Sequence, residues 1–61
     1  MEDFWMRELE AAERAEARAR AMRDRFGPAA EARCAAEIRS IATADPRRRD
    51  MEDVRRALRW T

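Results

Sequence analysis

The sequence has 61 residues, enough for one domain and close to the lower size limit for a chain that folds alone. Its 14 basic and 13 acidic residues give a formal net charge of +1, without the charge excess typical of proteins that bind nucleic acid or membranes through overall charge. With one cysteine and no histidine, the chain cannot form an internal disulfide and lacks the most common metal ligand.

The start of the chain, Met1-Glu2-Asp3, is acidic and is not followed by an apolar stretch of signal-peptide length. No run approaches the roughly 18–20 apolar residues that span a bilayer. We therefore expect a cytoplasmic protein without a membrane partner, in which Cys34 is a reduced thiol.

The pattern predicts an all-α protein, a single domain over residues 1–61 with three helices. Gly27-Pro28 and Asp45-Pro46 stand where helices should stop and restart. β-Branched residues are few and show no period of two, so strands are not expected.

The first helix is predicted over about residues 2–26. Its acidic start and the arginines near its end suit the helix dipole, and Gly27 fits the position after a helix, where a positive φ is favourable. At 100° per residue, the apolar residues of this helix form one broad stripe. They are Met1, Phe4, Trp5, Leu9, Ala12, Ala15, Ala19, Met22 and Phe26.

The second helix is predicted over about residues 28–44, with Pro28 at its first position. Its apolar seam is Ala30, Cys34, Ile38 and Ile41, with Ala35 and Ala42 beside it. Because the break at Gly27 is short, we expect the first two helices to fold back as an antiparallel hairpin with a seam of small side chains. Helix one is longer, so its Phe4-Trp5-Met6 end should overhang and offer the third helix a place to pack.

The third helix is predicted over about residues 46–60, capped by Asp45 with Pro46 at its first position and some irregularity near Arg48. The alternative is a cap at Asp50 and a start at Met51. Met51, Val54 and Leu58 should be its buried residues.

The supply of large apolar side chains is small for an independent monomer, because there are thirteen of them, and Met6 and Trp60 fall off the buried stripes of their helices. We therefore expect the chain to associate with itself as a helical bundle, or with another protein, as a small subunit, adaptor or regulator. The predicted contact surface consists of Phe4, Trp5, Met6, Leu9 and Trp60, since tryptophan and grouped exposed apolar residues are typical of interfaces.

The alternative is a nucleic-acid-binding module that uses arginines of the third helix. They are Arg48, Arg49, Arg55, Arg56 and Arg59. Such side chains neutralise phosphates, but acidic residues interleave with them, so we favour a solvated helix face.

Catalysis is not expected. The sequence has no histidine or tyrosine and no glycine-rich phosphate loop or metal-ligand spacing, so we predict no cofactor and no small-molecule substrate. Cys34 on the apolar seam should behave as a small hydrophobic residue.

Overall fold

Three α-helices form most of the chain in the computed structural model, which describes the backbone of residues 2–61 and the side chains of residues 6–61. They are α1 (Glu2–Phe26), α2 (Ala30–Ser40) and α3 (Pro46–Leu58), and a 3-10 turn over Gly27–Ala29 joins α1 to α2. The described part contains no strand, so the predicted all-α class is confirmed. At 13 residues α3 is much shorter than α1, although it is slightly longer than α2 with 11.

The corner between α1 and α2 is built around Gly27. Its φ of +57° confirms the predicted left-handed conformation. Pro28 lies inside the 3-10 turn, so α2 begins at Ala30, two residues later than predicted. The ring of Phe26 holds the corner together, because the guanidinium carbons of Arg25 and Arg33 lie 5.3 and 4.7 Å from its centroid.

Helix α2 ends at Ser40, and its predicted extension to Ala44 is wrong. Ile41 is extended, with φ −95° and ψ 134°, and the chain uses residues 41–45 to reverse direction. Arg48 stabilises this loop by donating to the carbonyl of Ile41 and to Oγ1 of Thr43, at 3.3 and 3.2 Å. Ala42 and Ala44 favour a helix locally. The helix nevertheless ends before them, because α3 packs back along α2 and the chain must therefore reverse its direction before Pro46.

Helix α3 begins as predicted. Oδ1 of Asp45 accepts a hydrogen bond from the backbone N–H of Arg47 at 2.9 Å, and Pro46 occupies the first turn. Hydrogen bonds from Arg47 hold the pKa of Asp45 below its ordinary value. The alternative start at Met51 is therefore wrong, and the helix is regular through Arg48.

The end of α3 differs from the prediction. The helix stops at Leu58 and was predicted to reach residue 60, so Trp60 lies in the turn that follows.

Helix α3 packs against both other helices, whereas α1 and α2 meet mainly at the corner. Asp50 and Val54 lie beside residues 11–18 of α1, while the carbonyl of Leu58 lies beside Arg23, so α1 and α3 run in the same direction. Helix α2 runs the opposite way. The hairpin is thus splayed, and α3 fills the space between its arms.

One apolar cluster joins the three helices. Its buried members are Ala15, Ala19 and Met22 of α1, Ala30, Cys34 and Ile38 of α2, and Met51, Val54, Ala57 and Leu58 of α3. Phe26 and Ile41 pack against it from the edge. Half of these buried residues are alanine or cysteine. Because these side chains are small, the helices can pack close to each other, and the core is filled without many bulky side chains.

The predicted stripe of α1 is buried only in its second half. Leu9 and Ala12 are exposed, and Ala15 is the first residue of the stripe to be buried among the described ones. The predicted packing of the third helix on the overhang is therefore not found for Met6 and Leu9. The side chains of Met1, Phe4 and Trp5 lie outside the described residues.

Replacing Gly27 by alanine is expected to lower the free energy of unfolding by about 1 kcal/mol. A Cβ atom at this position would meet nothing within 4 Å, so the cost comes from the positive φ and not from a clash. Chemical denaturation followed by circular dichroism measures the effect, and Ala29→Gly serves as a control at an exposed neighbour with ordinary φ. Equal stability of Gly27→Ala and the unmodified chain would contradict the prediction.

Candidate interaction surfaces

Three large apolar side chains are exposed in the described part of the chain. Trp60 is 71%, Met6 59% and Leu9 47% exposed. The first turns of α1 carry Met6 and Leu9, which are three residues apart and therefore neighbours on the helix surface. The sequence predicted all three as contact residues, and the structure leaves all three accessible.

The backbone after α3 brings Trp60 beside α1. The N–H of Trp60 donates to the carbonyl of Ala57 at 3.3 Å, which continues the helical path for one more turn. Trp60 then lines a shallow depression together with Glu8, Ala12 and Glu16 of α1. Met6, Leu9 and Ala12 follow one another at three residues along α1, and Ala12 lines the same depression as Trp60. We call Met6, Leu9, Ala12 and Trp60 the association surface.

Charges of both signs surround the association surface. Glu8 and Glu16 come from α1, and Arg49 and Arg56 come from α3. Phe4 and Trp5, the remaining predicted contact residues, have side chains outside the described ones. Their positions early in α1 place their backbone next to Met6.

A second surface is a groove between α2 and α3 in which arginines converge. Five of its eight lining residues are arginine and one, Glu52, is acidic. We call it the arginine groove; it is lined by Ala35, Ile38, Arg39, Arg48, Glu52, Arg55, Arg56 and Arg59. Four of the five arginines that the sequence predicted for nucleic-acid binding lie here.

Two arginines differ from the prediction: Arg49, which was predicted, and Arg39, which was not. Arg49 does not line the groove. It lines the depression beside α1 together with Asp50 and Asp53, and Arg56 borders both surfaces. Arg39 comes from the last turn of α2 and was missed, because its position opposite α3 depends on how the two helices pack. The one sequence signal for its place in the groove is that Arg39 directly follows the apolar residue Ile38.

Ion pairs occupy part of the arginine groove. Arg48 pairs with Glu52 and Arg56 pairs with Asp53, both at 3.5 Å. Among the side chains of residues 6–61, no ion pair engages Arg39, Arg55 or Arg59. Three guanidinium groups of this groove are therefore available to an anion.

Cys34 is fully buried, and its Sγ donates a hydrogen bond to the carbonyl of Met51 at 3.4 Å. Burial, together with the nearby carboxylate of Glu37, raises the pKa of this thiol. Both effects disfavour the thiolate, which is the reactive form.

Comparisons with models of protein families, with curated proteins and with solved structures found no match to this chain. None of the helices in its described part combines the length and the apolar character needed to cross a membrane. In the same part, no three potential metal-ligating side chains form a group.

Proposed function

We propose that this chain is a non-catalytic protein–protein association module that pairs with a second copy of itself through the association surface. The observation that supports this most is the exposure of Trp60, 71%, in a depression that Ala12 of α1 also lines, together with the exposure of Met6 and Leu9 on the same helix. Exposing a tryptophan in an apolar patch to water is unfavourable in free energy, and burying it in an interface contributes strongly to the free energy of association.

A second copy is the occupant that fits this surface. In a two-fold symmetric pair each copy presents the same patch, so apolar residues face apolar residues. The surrounding charges also suit such a pair, because Glu8 or Glu16 of one copy can approach Arg49 or Arg56 of the other. The small size of the buried cluster adds support, since association would bury apolar area that the monomer leaves in water.

Replacing Trp60 by alanine is expected to raise the dissociation constant of the pair roughly 30-fold, which corresponds to about 2 kcal/mol. Sedimentation equilibrium across the micromolar range measures the constant. For the unmodified chain, the melting temperature should also rise with protein concentration.

The control for this experiment is Arg55→Glu, a larger change of charge on the opposite side of α3. It is expected to alter the dissociation constant by less than about fivefold, because exposed charges contribute about 0–1 kcal/mol. A monomeric mass at every concentration would refute self-association. Loss of association in Arg55→Glu but not in Trp60→Ala would show that another surface is responsible.

A further inference from the structure

The arginine groove lies on a chain whose net charge is only +1, and it shares Arg56 with the rim of the association surface. The molecule therefore concentrates positive charge locally without an overall excess. Arg39 stands on the α2 wall, while Arg48, Arg55, Arg56 and Arg59 stand on the α3 wall. Guanidinium groups on two facing walls can reach one anionic ligand from both sides.

We infer that the arginine groove binds the phosphate backbone of a nucleic-acid duplex, independently of sequence. The spacing of the arginines along α3 carries this inference. Arg48, Arg55 and Arg59 follow one another at seven and four residues, so they lie near one face of the helix; Arg48, at one end of the row, also donates to the loop and pairs with Glu52. Their eleven-residue span corresponds to roughly 16 Å along the helix axis.

A row of this length suits a polymer of phosphates better than a single phosphate group. Along one strand of duplex DNA there is a phosphate about every 3.4 Å of helix axis, so about five phosphates match the row. Arginine presents a planar set of donors that matches phosphate geometry, which favours this ligand over a general attraction to charge.

The lining of the groove also selects the form of nucleic acid. Its uncharged residues are Ala35 and Ile38, and no aromatic side chain lines it within the described residues. Proteins that hold single strands use aromatic side chains on which unpaired bases stack. The groove provides charge without such stacking, so contact with the backbone of a duplex is the mode that it supports.

Fluorescence anisotropy with a fluorescein-labelled DNA duplex of about 20 base pairs and mixed sequence tests the inference. If three to five phosphates are contacted, raising salt from about 50 to about 200 mM should weaken binding roughly 40- to 500-fold. Arg39→Glu and Arg55→Glu should each weaken binding at low salt roughly tenfold or more. Circular dichroism verifies that each variant remains helical, and Arg55→Gln provides a milder variant of the same site.

The matched control is Arg49→Glu, which changes the charge equally but lies outside the groove. It should weaken binding less than about threefold. The inference is overturned if the unmodified chain does not bind the duplex at low salt, or if Arg49→Glu weakens binding as much as Arg55→Glu. It is also overturned if polyglutamate displaces the duplex at equal charge concentration, because the groove would then suit an acidic protein segment. Trp60→Ala, which tests self-association, should leave duplex binding by the monomer unchanged.

Discussion

Replacing Leu58 by alanine is expected to lower the free energy of unfolding by about 2–5 kcal/mol. Leu58 is 1% exposed and is the largest fully buried side chain among the described residues. Five of the other nine buried residues of the cluster are alanine or cysteine, which are too short to fill the space that Leu58 leaves, so we expect a value in the upper half of this range. Chemical denaturation followed by circular dichroism gives the difference.

This loss would be large for so short a chain. At about 0.05–0.15 kcal/mol per residue, the total stability of such a domain is roughly 3–9 kcal/mol. Leu58→Ala should therefore leave much of the protein unfolded at room temperature. Leu9→Ala is the matched control, because Leu9 is 47% exposed and its truncation should cost the monomer less than about 1 kcal/mol. Similar losses in the two variants, measured where the chain is monomeric, would contradict the assigned core.

Replacing Arg23 by methionine is expected to lower the free energy of unfolding by about 2–3 kcal/mol. Its Nη1 donates to the carbonyl of Gly27 at 3.1 Å and its Nη2 to the carbonyl of Leu58 at 2.8 Å. Methionine keeps an unbranched chain of similar reach but leaves both carbonyls without this donor. One guanidinium thus joins the end of α1, the corner at Gly27 and the last residue of α3.

The effect of Arg23→Met is smaller than the sum of two charged hydrogen bonds would suggest. The Nε of Arg23 is buried and has no hydrogen-bond partner, so removing it relieves a cost. Arg20→Met is the control, because Arg20 is exposed on the same helix and the change of charge is identical. Equal destabilisation by the two substitutions would show that the lost charge matters and the bridge to Leu58 does not.

Local signals were sufficient to place three of the six helix boundaries: both ends of α1 and the start of α3. Gly27 and Asp45-Pro46 act through backbone geometry that does not depend on distant residues, and they mark the end of α1 and the start of α3 as predicted. The buried residues of α3 followed from helical periodicity, except that Ala57 was overlooked because alanine gives a weak signal.

Features that depend on packing between helices could not be predicted. The end of α2 at Ser40 follows from the path of α3, while the alanines after it favour a longer helix locally. Leu9 continues the apolar stripe of α1 but is exposed.

The functional side chains show the same limit. Arg23 was assigned to the helix dipole, whereas its partner carbonyl lies 35 residues away. Arg39 could be added to the arginine groove only once the arrangement of α2 and α3 was known.

The apolar cluster shared by the three helices has a consequence for how the molecule opens. The buried alanines of α1 and the buried apolar residues of α2 contact each other mainly at the corner. Along the rest of their length, α3 packs between them and shields them from water. Detaching α3 would expose most of the cluster, so the remaining pair of helices would have little to hold it together. Release of α3 and global unfolding are then one event, and the protected backbone amides of all three helices should share a single free energy of opening.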